Sequence, residues 1–143
     1  MPTLFTRIIQ GEIPGRFVWR DERCVAFLTI APIRPGHLLV VPRAEVDHWL
    51  DLEPELAAHL TGVAQTLGQA LQHAFPCKKV GLMIAGLEVP HVHLHVLPID
   101  RLHDLDFARQ DQNAKPADLD AAAEKVRQSL RALGLDQRAR AIS

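Results

Sequence analysis

Residues 91–97 read His91-Val92-His93-Leu94-His95-Val96-Leu97, three imidazoles alternating with aliphatic side chains. Side chains of an extended strand alternate between its faces, so a strand here would place His91, His93 and His95 on one face and Val92, Leu94 and Val96 on the other. One face is then core and the other a site. Same-face neighbours stand roughly 6.5 to 7 Å apart, close enough for one imidazole to attack a group that another steadies. Neutral imidazole titrates near pH 6.5, so a large unprotonated fraction is available as a nucleophile at neutral pH, while protonated neighbours would attract anions. Two other chemistries fit the same residues: ligation of a transition metal, and anion binding without catalysis. Zinc sites usually add a ligand from elsewhere, and three successive same-face positions converge poorly on one ion.

The elements that must position this segment follow from periodicity and turn residues. Thr3 to Gln10 reads as a short amphipathic piece, followed by Gly11-Glu12-Ile13-Pro14-Gly15 as a connector. Phe17–Arg20 and Cys24–Thr29 read as strands about the polar turn Asp21-Glu22-Arg23. After Pro32 and Pro35-Gly36, His37–Pro42 reads as a third strand. Leu56, Leu60, Val63, Leu67, Leu71 and Ala74 mark one face of a long helix over Glu53–Ala74. Val80–Ala85 and His91–Pro98 read as strands four and five. A second helix follows Pro116, with Leu119, Ala123, Val126, Leu130 and Leu133 on its apolar face and Gly134 as its stop. Three strands, a helix, two strands and a helix contain too few crossovers for a doubly wound parallel sheet. The order predicts an α+β domain on an antiparallel sheet.

The 143 residues suit one domain, taken here as 1–143, with a motif-bearing core over 4–98 and a C-terminal helix over about 116–134. A formal net charge of −1 supplies no global field for nucleic acid or an anionic membrane, so a partner must be recognised locally, and a small molecule is the expectation. Two separated cysteines, Cys24 and Cys77, make neither a disulfide framework nor a zinc knuckle and suit a reducing compartment. With no basic leader before an apolar run and no transmembrane-length stretch, the expected location is the cytoplasm.

With His91-x-His93-x-His95 come Phe5-Thr6-Arg7-Ile8-Ile9-Gln10-Gly11-Glu12-Ile13-Pro14, Ala26-Phe27-Leu28 and Pro35-Gly36-His37-Leu38-Leu39-Val40-Val41-Pro42, in that order. This ordered set resembles the histidine triad (HIT) superfamily of nucleotide hydrolases and transferases. The resemblance implies a five-stranded antiparallel sheet with two main helices, extended across a homodimer. It implies that His93 attacks the α-phosphorus of a nucleotide ester, anhydride or phosphoramidate, giving a covalent nucleotidyl-histidine that water cleaves. His95 would then contact the transferred phosphoryl or the leaving atom, and His91 and His37 would support the site. A hydrogen bond from the second ring nitrogen of His93 to a backbone carbonyl would fix its tautomer.

The resemblance also places the nucleoside pocket on Leu4, Phe5, Ile8, Phe27, Ile30 and Leu39, and calls for no cofactor and no metal. Two positions depart from the pattern. Thr29 stands where many relatives carry an acid for the ribose hydroxyls, and Glu88 where a Ser or Thr often donates to phosphate. A carboxylate at position 88 would repel a phosphate unless protonated or turned away. Some members hold structural zinc through an opening Cys-x-x-Cys; here Thr3 and Thr6 occupy that region, so that site is expected to be absent. Of the remaining residues, His48, His59 and His73 read as solvated or half-buried, His103 as a loop residue, and Arg34 as a solvated turn charge. Trp19 and Trp49 read as core or dimer-interface residues, because no basic stripe accompanies them as in base-stacking surfaces.

Overall fold

The computed structural model describes residues 2–136, so the ends of the expected 1–143 domain span lie outside the described residues. Helix α1 (Leu4–Ile9) leads into strands β1 (Phe17–Arg20), β2 (Cys24–Leu28) and β3 (Leu38–Pro42); α2 (Pro54–Ala74) follows, then β4 (Lys79–Ile84), β5 (Leu94–Ile99) and α3 (Pro116–Ala132). The strands form one antiparallel sheet in the order β1-β2-β3-β5-β4. This is the α+β architecture that the element order predicts.

Both central strands β2 and β3 are buried along their whole length, because each sheet face is covered. Cys24, Ala26 and Leu28 of β2 and Leu38 and Val40 of β3 join the main core with Leu60, Leu67 and Leu71 of α2 and Ala123, Val126 and Leu130 of α3. The alternate residues Val25, Phe27, Leu39 and Val41 face the other way and pack with Phe5 and Ile8 of α1. The period of two thus sorts these apolar runs between a structural face and a smaller face beneath α1. Both long helices start with proline in the first turn, where a missing N–H costs nothing, and Gly134, at φ +70°, follows the end of α3.

The fifth strand begins at Leu94, three residues later than the sequence predicts, so His91 and His93 precede it. Its ladder with β3 ends at the Val40–Leu94 pair. Two residues on, Pro42 has no N–H to extend the ladder, and the Val92 amide instead donates to the Val46 carbonyl (2.7 Å). The partition by face nevertheless holds: Val92, Leu94 and Val96 lie in the main core, and His95 pairs across strands with Leu39 of the smaller face. Other bounds shift by one or two residues. β3 starts at Leu38, leaving His37 in the preceding turn, β2 stops at Leu28, β4 spans Lys79–Ile84, and α3 ends at Ala132.

Asp21 ties the β1–β2 turn to α2. Its Oδ1 accepts the Arg23 and Cys24 amides (2.8 Å each), and its Oδ2 accepts Trp19 Nε1–H (2.8 Å) and lies 2.7 Å from His59 Nε2. Burial alone would raise this carboxyl, but the hydrogen bonds from Trp19, Arg23, Cys24 and His59 outweigh it and hold the pKa at about 2. Asp21, Cys24 and His59 are metal-ligand types within 4.8 Å of one another, yet the carboxylate already has protein donors on both oxygens. Their observed role is a hydrogen-bonded brace. Trp19 is core, whereas Trp49 is half exposed in a short 3-10 turn. Among the described residues, no helix is long and apolar enough to cross a membrane.

Candidate active site

The four histidines meet on the smaller face of the sheet, and their hydrogen-bond partners assign a tautomer to each. His93 Nδ1–H donates to the His91 carbonyl (2.8 Å), which leaves the Nε2 lone pair for a ligand. This is the tautomer-fixing bond expected from sequence. The Ile33 amide donates to His37 Nδ1 (3.1 Å), so the proton of His37 is on Nε2, from which it donates to His95 Nδ1 (2.9 Å). His95 must then carry its own proton on Nε2. One ring therefore offers a lone pair and its neighbour an N–H, with ring centroids 4.9 Å apart. His91 Nε2–H donates to the Pro42 carbonyl (2.8 Å), and its Nδ1 accepts from Thr3 Oγ1 at 2.6 Å. Both nitrogens of His91 are spent on structure.

Burial decides the charge of this cluster. His37 and His91 are completely buried, and His93 and His95 nearly so. Desolvation, then the neighbouring His93, pushes His37 down to about 4; desolvation, then His37 and His93, pushes His95 to about 3. Desolvation also lowers His93, against opposing contributions from its bond to the His91 carbonyl and from the Glu88 carboxylate. Protonated imidazoles that attract anions, the expectation from spacing alone, are thus replaced by neutral ones at pH 7.

This arrangement has a stability consequence. The unfolded chain binds protons at His37 and His95 near pH 6.5, whereas the folded chain does so only near pH 4 and 3, so the folded state loses ground as pH falls through that window. For His37 alone the full shift corresponds to about 3 kcal/mol. Urea midpoints are expected to hold above pH 6.5 and to drop between pH 6 and 4, more shallowly in His37→Leu. A flat profile over that range would show that the histidines are not held neutral.

A cavity of about 320 Å³ opens in front of His93 and His95, within the usual size of small-molecule pockets. Leu4, Phe5, Ile8, Phe27, Thr29, Ile30, Leu39 and Glu88, the eight residues assigned to the nucleotide from sequence, all line it. Phe5 packs edge-on to Phe27, His91 and His93, so α1 both walls the cavity and seats the histidines. Thr29 Oγ1 accepts the Ala31 amide (3.2 Å), which shapes the loop carrying Ile30. A second cavity of about 180 Å³ lies beyond the same histidines, between the 85–88 loop and Phe107. Glu88, His93, His95 and Gln110 border both cavities.

Several contributors were not identified from sequence. Phe107 packs edge-on to His95 at 4.9 Å, and Gln110 donates to the Ala31 carbonyl (2.9 Å), so the segment after β5 closes over the site. Arg34 is no solvated turn charge: it is ion-paired with Asp104 (2.7 Å) and Asp100 (3.1 Å), bracing the loop that presents Ile33 to His37. His48, His73 and His103 line neither cavity. In the opening segment the Thr3 hydroxyl accepts the Thr6 amide (3.1 Å) and donates to His91, while the Thr3 amide donates to Glu45 (2.9 Å). Thr3 and Thr6 offer neutral alcohols where a Cys-x-x-Cys pair would offer thiolates, and among the described residues no group of three metal-ligand side chains comes together there.

A five-stranded antiparallel sheet with a buried, tautomer-assigned histidine triad facing an apolar cavity defines a histidine triad protein. The HIT domain family model matches residues 10–102, and the chain belongs to that family. It is 36% identical over 99 residues to an uncharacterized HIT-like protein of Methanocaldococcus jannaschii, covering 66% of this chain and 77% of the relative. The structure of a hypothetical histidine triad nucleotide-binding protein from Sulfolobus tokodaii superposes with a TM-score of 0.78 at 24% identity, over 90% of this chain and 92% of that one, and shows the shared fold. A HIT family hydrolase from Legionella pneumophila aligns at 30% identity with a TM-score of 0.58, over 67% and 91% of the two chains.

Proposed function

We propose that the protein is a nucleotidyl hydrolase or transferase acting at the α-phosphorus of a nucleoside monophosphate derivative, a phosphoramidate or a dinucleoside polyphosphate, with His93 as the nucleophile. The observation that carries this reading is the pairing of a neutral His93, its Nε2 lone pair free, with a His95 Nε2–H donor at the junction of two cavities. The larger cavity suits a nucleoside, and the smaller suits what leaves. The relative named a hydrolase supports the same class.

In the first step His93 Nε2 forms a bond to phosphorus as the bond to the leaving atom breaks, its electron pair staying with that atom. His95 Nε2–H donates a hydrogen bond to the negative charge that builds on the phosphoryl or leaving oxygen or nitrogen, and His37 keeps that proton aimed outward. Water then cleaves the phosphorus–histidine bond: its hydroxyl ends on phosphorus and its other proton balances the departed group. This reading routes no step through a metal, and the hydrogen bonds on both nitrogens of His91 leave the triad short of a third free ligand nitrogen.

We further propose a homodimer through the edge strand β4, which leaves Leu82 and Ile84 exposed beside an unpaired ladder edge. The functional reading is tested by incubating the protein with an adenosine phosphoramidate and with diadenosine tetraphosphate, with and without EDTA. Release of AMP from either substrate at an EDTA-independent rate is expected. Tight binding without release would leave a non-catalytic nucleotide-binding module, and zinc-restored activity would move the histidines to metal ligation.

A further inference from the structure

Charge around the smaller cavity narrows what can leave. Its described lining is Ala85, Gly86, Leu87, Glu88, Phe107 and Gln110 together with His93 and His95. Among the described residues no lysine or arginine borders it, and the only one on the larger cavity, Arg16, is engaged with Asp120 at 2.7 Å. The histidines that could have supplied positive charge are held neutral by burial. The one formal charge at the junction of the cavities is the Glu88 carboxylate.

A polyphosphate leaving group would bring several negative charges to a solvent-open place with one carboxylate and no lysine or arginine among the described lining residues, so like charges meet there without a counter-charge. An ammonium on the leaving group reverses the sign. It would lie between the phosphoryl oxygens and Glu88 and relieve the repulsion between them. Size points the same way: about 180 Å³ is a little over half of the nucleoside cavity, and its walls are the apolar Ala85, Leu87 and Phe107. That space suits a side-chain-sized aliphatic group rather than a second nucleotide.

We propose that Glu88 makes this site selective for nucleoside phosphoramidates whose leaving amine carries a second, cationic amino group, and selective against polyanionic leaving groups. The proposal rests on the nucleotidyl-transfer reading above and chooses among its substrates. In the reaction it describes, the phosphorus–nitrogen bond breaks, phosphorus bonds to His93 Nε2, and over both steps one water supplies the hydroxyl on phosphorus and the proton on the released amine.

The test compares four substrates that each present an adenylyl group to His93: adenosine 5′-phosphoramidates of 1,4-diaminobutane, of neutral n-pentylamine and of γ-aminobutyrate, and diadenosine tetraphosphate. The expected kcat/KM of the ammonium compound exceeds that of the neutral one by about tenfold, with the carboxylate compound and the tetraphosphate a further tenfold or more below. In Glu88→Gln the ammonium-to-neutral ratio is expected to fall to about 1, and in Glu88→Lys the order of ammonium and carboxylate compounds should invert. Each ratio is read within one variant, so a general loss of activity does not enter it. Equal rates on the ammonium and neutral compounds in the wild type, or a ratio that survives Glu88→Gln, overturns the selectivity. Failure of the wild type on all four substrates overturns the nucleotidyl-transfer reading itself and the selectivity with it.

Discussion

His93→Ala is expected to lower turnover of a nucleoside phosphoramidate by about 10⁴-fold or more while leaving the melting temperature within a few degrees of the wild type. The substitution removes the only ring nitrogen in the cluster that has both a free lone pair and a place on both cavities. Its structural contribution is small by comparison, one hydrogen bond to the His91 carbonyl and edge contacts with Phe5 and His95. Because burial lowers the His93 pKa, the acid limb of kcat/KM in the wild type is expected below pH 6.5, where a solvated histidine would place it. Near-native turnover by His93→Ala would remove the nucleophile from the account.

His95→Ala is expected to lower kcat about 10²- to 10³-fold, the usual cost of losing one preorganised donor to developing charge. His37 lines neither of the two cavities and acts through His95, so His37→Leu should cost less, about tenfold, by releasing the ring that its Nε2–H holds. The informative variant is the double one. If His37 works only by holding the His95 proton outward, adding His37→Leu to His95→Ala costs nothing further in kcat. Additive losses would mean that His37 has a separate role. Melting temperatures of all three variants keep this comparison apart from stability, since the Leu variant also leaves the Ile33 amide without its acceptor, at about 1 to 3 kcal/mol.

The parts of the site that were legible in the sequence are those encoded by side-chain type and period. His91-x-His93-x-His95 announced the chemistry, and the resemblance to the histidine triad family, not the apolar runs themselves, pointed to Phe27 and Leu39 as pocket residues; in the structure both lie on the smaller face with Phe5 and Ile8. What stayed hidden belongs to the backbone and to burial. A carbonyl acceptor for His93 was expected, but not that the His91 carbonyl supplies it, and the Ile33 amide and Pro42 carbonyl that set the tautomers of His37 and His91 are main-chain groups that no residue identity reports. Proline at position 42 was visible, but not that it would end the ladder and leave His91 and His93 ahead of the strand. Phe107 and Gln110 come from a short 3-10 turn after β5 and the residue that caps it, a stretch with no hydrophobic period to read. Histidine charge depends on desolvation, which spacing along a strand does not contain.

The central claim is a covalent nucleotidyl group on His93, and intact-mass spectrometry tests it most directly. Wild type and His93→Ala are mixed briefly with an adenosine phosphoramidate and quenched without acid, because phosphorus–nitrogen adducts are acid-labile. The account predicts the mass of one adenylyl group added to the wild type and absent from His93→Ala. AMP release by the wild type with no adduct at any quench time, or an adduct that persists in His93→Ala, would contradict it.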